Sequence, residues 1–75
     1  MEKAEMTSGE IIRTISNEAV RQIGPWPTTL DIFVFRIEGG WECLITPTDD
    51  PAEERFRNAA LKIGITLSQF VKLKE

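Results

Sequence analysis

The sequence predicts a small α+β fold in which two helices flank a two-stranded antiparallel hairpin, with a short C-terminal helix or a third strand after them. Three observations predict it. Apolar residues recur at helical spacing over about residues 8–23, strand-forming residues lie on both sides of Gly39-Gly40 within residues 30–47, and a second helical stretch follows Asp50-Pro51. A chain of 75 residues can form one such domain, over residues 1–75.

The first helix has a clear start and a clear end in the sequence. Residues 1–6 are expected to form a flexible leader, after which Thr7 and Glu10 have the spacing of a capping box. Gly24 and Pro25 stop the helix near residue 23. The expected buried stripe consists of apolar residues at helical spacing: Ile12, Ile15, Ala19 and Ile23, widened by Ile11 and Val20.

The connector Pro25-Trp26-Pro27 is stiff because each proline restricts its own φ and the conformation of the residue before it. Trp26 is therefore held in place. We expect it to cover one end of the core, and the alternative is an exposed binding anchor.

The hairpin has two possible registers around Gly39-Gly40. A two-residue loop at Gly39-Gly40 places Arg36 opposite Cys43, whereas a three-residue loop, Glu38–Gly40, places Arg36 opposite Glu42 as a cross-strand ion pair. The sequence favours the three-residue loop, because it gathers the aromatic side chains on one face. The expected core face is then Phe33, Phe35, Ile37, Trp41, Cys43 and Ile45, and the expected outer face is Ile32, Val34, Leu44, Arg36, Glu42 and Thr46.

The second helix is predicted to begin with Asp50 as N-cap, Pro51 at the first helical position and Glu53 in a capping box. Its expected buried stripe is Phe56, Ala59, Ala60 and Ile63, and Gly64 is expected to end it as a left-handed cap. The residues that follow fit either a short helix through Leu73 or a third strand. The helix is favoured.

The composition disfavours an enzyme. The chain has no histidine and no tyrosine, which removes the commonest general acid and base and the usual serine–histidine arrangements. Cys43 is expected to be a buried, unreactive thiol. The acids Asp49, Asp50, Glu53 and Glu54 could bind a hard cation, but their positions at a helix start explain them, so we expect no catalytic residue, no metal site and no cofactor.

The functional prediction comes from the expected outer face of the hairpin. Two helices can cover only one face of a hairpin, and an isolated two-stranded sheet is marginal in water. We therefore predict a small interaction or accessory protein that forms a homodimer, or binds an unidentified protein, through Ile32, Val34 and Leu44 with Trp26 nearby. A monomer with a few exposed apolar residues is the alternative, and a site for a small apolar ligand is a weaker one.

A nucleic-acid-binding regulator that uses residues 50–74 is the other functional hypothesis. Residues 56–73 resemble the two-helix turn of small DNA-binding proteins through Ala60 and Gly64 and the apolar residues at 65, 70 and 73. Ala60, Gly64, Ser68 and Val71 also look like the paired helices of a ribbon-helix-helix dimer, but the motif has few basic groups and assigns no family. The candidate phosphate contacts are basic side chains: Arg55, Arg57, Lys62, Lys72 and Lys74. A net charge of −3 argues against a broad phosphate-binding surface.

The sequence also indicates where the chain works. It contains no apolar run near the roughly 18 to 20 residues that span a bilayer, and its charged N-terminus does not match a secretory signal. We therefore expect no membrane partner and a reduced, cytoplasmic setting.

Overall fold

The structure, a computed structural model, describes residues 4–74 and confirms the α+β class. The elements follow in the order β1 (Ala4–Met6), α1 (Ser8–Gln22), β2 (Ile32–Ile37), β3 (Gly40–Ile45), α2 (Pro51–Ser68) and β4 (Val71–Leu73). The predicted helix–hairpin–helix order is therefore present, with a C-terminal strand after it. The favoured C-terminal helix is wrong, because residues 71–73 are extended.

The first and last strands pair with each other. Ala4–Met6 forms a parallel pair with Val71–Leu73, and the Lys74 N–H donates to the Met6 carbonyl at 2.8 Å. The flexible leader predicted over residues 1–6 is therefore wrong for residues 4–6, and residues 1–3 lie outside the described residues. β4 and β1 form a two-stranded sheet of their own, separate from the hairpin, so β4 is not a third strand of the hairpin.

The first helix begins as its sequence predicts. Thr7 is the N-cap, its hydroxyl accepts from the Glu10 amide at 3.2 Å, and the Glu10 carboxylate accepts from the Thr7 amide at 2.9 Å. The helix ends at Gln22, and Gly24 takes a φ of +145°, which favours glycine. Its buried stripe is Ile11, Ile15 and Ala19, so the predicted stripe is shifted: Ile12 and Ile23 are half-buried and Val20 is exposed.

The capping box makes stability depend on pH. The hydrogen bond from the Thr7 amide is the main cause that lowers the pKa of Glu10 below its usual value of 4.5. A carboxyl with a lowered folded-state pKa stabilises the fold fully above its unfolded-state pKa, and that contribution is lost as the pH falls through the folded-state pKa.

Glu10→Gln keeps a side chain that can complete the box but removes the charge. We expect the wild type to have a higher free energy of unfolding than this variant at neutral pH. The difference should stay constant as the pH falls to about 4.5 and should shrink at lower pH. Urea unfolding of both proteins over that pH range measures the difference. A difference that grew as the pH fell would contradict the assignment.

The second helix starts as predicted but continues past its predicted end. The Asp50 carboxylate accepts from the Ala52 amide at 2.8 Å, whereas Glu53 accepts from the hydroxyls of Thr29 and Thr48 and does not complete a capping box. Gly64 lies inside the helix and has no positive φ, so the predicted cap is wrong. The helix also passes through the position where a two-helix turn resembling DNA-binding proteins would need a break.

Both helices cover the same face of the hairpin. α1 packs on β2 and α2 packs on β3. The buried core combines residues from every layer: Ile11, Ile15, Ala19, Leu30, Ile32, Trp41, Ile45, Phe56, Ala60 and Val71. The core therefore lies entirely between the helices, the inner hairpin face and β4.

Candidate interaction surface

The hairpin register decides which side chains face solvent. Phe35 pairs with Glu42, Arg36 with Trp41 and Ile37 with Gly40, so the loop is Glu38-Gly39. Gly39 has a φ of +85°, which glycine tolerates best, while Gly40 is already the first residue of β3. Both predicted registers are therefore wrong, and the observed pairing differs from the favoured one by a single residue.

That single residue exchanges the two faces of β2. A one-residue slip moves every side chain of one strand to the other side relative to its partner strand. Trp41, Cys43 and Ile45 face the core as predicted, but Ile32 and Val34 face it with them. Phe33, Phe35 and Ile37 point outward instead.

We call the resulting exposed surface the outer hairpin face and define it by four apolar residues. The exposed fractions are 54% for Phe33, 37% for Phe35, 38% for Ile37 and 56% for Leu44. Phe33 and Leu44 are direct cross-strand partners. Large apolar side chains grouped on one face, rather than scattered singly, are typical of an interaction site.

The predicted interface residues are therefore divided by the structure. Leu44 lies on the outer hairpin face as predicted, but Ile32 is only 8% exposed and belongs to the core of this chain, where it pairs with Ile45. Val34 is half-buried opposite Cys43. The predicted outer-face position of Ile32 and Val34 is wrong, because it depended on the register.

Trp26 covers one end of the core. Its indole N–H donates to the Leu30 carbonyl at 2.8 Å, and its ring meets Phe56 edge to face at 5.8 Å between centroids. A tryptophan with its N–H and its ring both satisfied within the chain behaves as a structural lid. The lid interpretation thus fits its contacts better than the binding-anchor interpretation.

The outer hairpin face carries one acidic group, Glu42, which lies opposite Phe35. The predicted Arg36–Glu42 ion pair is absent, because the two side chains project from opposite faces. Arg36 instead extends from the inner side to β4, where its Nη2 donates to the Leu73 carbonyl at 3.1 Å. The outer hairpin face is consequently apolar along the whole of β2.

The candidate phosphate contacts do not form one patch. Arg55 and Lys62 line a groove between α1 and α2, whereas Lys72 and Lys74 belong to the β4 end of the chain. The Arg57 guanidinium donates to the Ile45 carbonyl at 3.4 Å. A surface that follows a nucleic-acid backbone needs clustered cations, and these five are separated among three places.

The Cys43 thiol and the carboxylates are the other candidate reactive groups. Cys43 is half-buried, and burial is the main cause that raises the pKa of its thiol. The thiol is therefore protonated at neutral pH, which lowers its nucleophilicity. Within residues 4–74, no three of the cysteine and carboxylate side chains converge as metal ligands would.

None of the helices described in residues 4–74 has the length and apolar character needed to cross a bilayer. Comparison of the chain with protein-family models, with curated proteins and with solved structures finds no match.

Proposed function

We propose that this chain is a small non-enzymatic interaction protein that self-associates through the outer hairpin face. The observation that carries the proposal is the set of four exposed apolar side chains on a sheet whose other face is already covered by α1 and α2. A second copy supplies the missing layer. The lone free cysteine supports a reducing compartment such as the cytoplasm.

A two-fold axis suits this surface. In a symmetric dimer the same patch meets itself, so the patch must be complementary to its own copy. Two pleated sheets stack about 10 Å apart, and their side chains interdigitate between them. Phe33, Phe35 and Ile37 form a continuous apolar row along β2 that can pack against the equivalent row of the second copy.

The strength of association follows from the size of the face. Stable interfaces bury about 800 Å² on each partner, whereas an apolar patch of this kind supplies roughly 300 to 600 Å². We therefore expect a dimer that dissociates on dilution rather than an obligate one.

The test is the loss of self-association when a charge enters the face. Phe33→Glu should weaken the dimer at least tenfold, because the new carboxylate must be desolvated against apolar side chains. Analytical ultracentrifugation over a concentration series measures the dissociation constant, and circular dichroism verifies that the variant is folded. Phe70→Glu is the matched control, since Phe70 is 64% exposed and lies in the α1–α2 groove instead.

Removing the native charge of Glu42 should have the opposite effect on the dissociation constant of the dimer. Glu42 must also lose hydration when the face is covered, so Glu42→Gln should strengthen the dimer. A monomer at all accessible concentrations would overturn the proposal. Equal weakening by Phe33→Glu and Phe70→Glu would place the contact elsewhere.

A further inference from the structure

A second surface, separate from the outer hairpin face, lies between the two helices. It is an open groove of about 1090 Å³ bordered by α1 and α2. Its apolar lining includes Ala59, Ile63 and Leu67, which recur every four residues along α2. Phe70 lies at the end of this row and is 64% exposed. The groove thus combines an apolar floor with an apolar side chain that the chain itself does not cover.

The charges along the groove differ in sign from the chain as a whole. Glu18 and Arg21 neutralise each other in an ion pair on the α1 side. On the α2 side, Arg55 and Lys62 are exposed, and neither has an ion-pair partner among residues 4–74. The groove therefore carries two uncompensated positive charges in a chain whose net charge is −3.

From this combination we infer that the α1–α2 groove binds an acidic amphipathic helix of a partner protein. A helix is about 10 to 12 Å wide with its side chains, and it docks into an apolar groove by residues spaced i, i+3, i+4 and i+7. The apolar floor receives that stripe, and carboxylates flanking the stripe meet Arg55 and Lys62. Complementary charges of this kind select the partner and its orientation.

The same groove is a poor site for nucleic acid. Phosphates would meet only two uncompensated cations, and the floor between them is apolar. Lys72 lies in β4, Lys74 directly follows it, and neither lines the groove. The charge pattern therefore favours carboxylates flanking an apolar stripe over a phosphate backbone.

The test uses two synthetic helical peptides of 18 residues, about five turns, with one leucine stripe. One has glutamates on both flanks of the stripe, and the other has lysines at the same positions. Fluorescence anisotropy at about 50 mM salt, where charge interactions are weakly screened, should show the acidic peptide binding at least tenfold more tightly to the full chain. Phe70→Ser should weaken binding of the acidic peptide.

Charge reversal of the groove should reverse the preference. Arg55→Glu with Lys62→Glu should favour the lysine peptide, whereas Lys72→Glu with Lys74→Glu, which changes the net charge equally, should leave the acidic peptide bound. If the reversed variant fails to fold by circular dichroism, Arg55→Gln with Lys62→Gln should abolish the preference. Binding of neither peptide, or equal effects of the two charge-reversed variants, would overturn the inference. Binding of a DNA duplex that depends on Arg55 and Lys62, without binding of the acidic peptide, would overturn it in favour of nucleic acid.

Discussion

Trp41→Ala should lower the free energy of unfolding by about 3 to 5 kcal/mol, because it removes a large buried aromatic side chain and leaves a cavity. Trp41 is 4% exposed, and its indole N–H donates to the Val71 carbonyl at 2.9 Å. It thereby joins the hairpin to β4. The total stability of a domain of this size is roughly 4 to 11 kcal/mol, so the loss is a large part of the whole.

The two contributions of Trp41 can be separated. Trp41→Phe keeps an aromatic ring but leaves the buried Val71 carbonyl without its donor, which costs about 1 to 3 kcal/mol. Urea unfolding followed by circular dichroism, at concentrations low enough to keep the chain monomeric, measures both variants. Lys72→Ala, at an exposed position of β4, is the control and should change stability by less than about 0.5 kcal/mol. Wild-type stability of Trp41→Phe would show that the hydrogen bond is not what joins β4 to the hairpin.

Gly64→Ala should have an effect whose sign depends on Cys43. A Cβ at Gly64 would overlap the Cys43 Sγ, because α2 approaches β3 closely at this point. Overpacking of a core costs about 1 to 3 kcal/mol, and alanine in a helix interior recovers about 1 kcal/mol relative to glycine. The single substitution should therefore destabilise the chain by up to about 2 kcal/mol.

Removal of the sulfur should reverse that sign. In a Cys43→Ala background, the added methyl no longer meets Sγ, and its other near neighbour outside the Cys43 side chain, Ile15 Cδ1, lies at an ordinary contact distance of 3.6 Å. Gly64→Ala should then stabilise the chain by up to about 1 kcal/mol. Thermal and urea unfolding of the four proteins in this double-mutant cycle give the coupling energy. The same sign in both backgrounds would contradict the close approach as the reason for glycine.

Gly64 and the tail that follows it show why some sequence patterns fit two structures. A glycine after the last residue of an apolar helical stripe can be a helix cap or a point of close contact inside a longer helix. The two cases differ in which residue packs against the glycine. The tail after Gly64 is ambiguous for the same reason. Val71–Leu73 becomes a strand because Ala4–Met6 is available as its partner and Trp41 holds it, and neither contact is local in sequence.

Features that depend on neighbouring residues could be predicted from the amino-acid sequence. The capping box of Thr7 and Glu10, the end of α1 before Gly24, the N-cap Asp50 and the existence of a hairpin all follow from short-range hydrogen bonding and backbone preference. The choice of which β2 side chains face the core depends on tertiary packing. Residues 32–35 are apolar at every position, so apolar–polar alternation within this segment does not show which side chains face the core. Either set of alternating side chains could be buried, and a one-residue change of register costs little before the core has packed. Packing against α1 and α2 selected Ile32 and Val34, which left Phe33, Phe35 and Ile37 on the outer hairpin face.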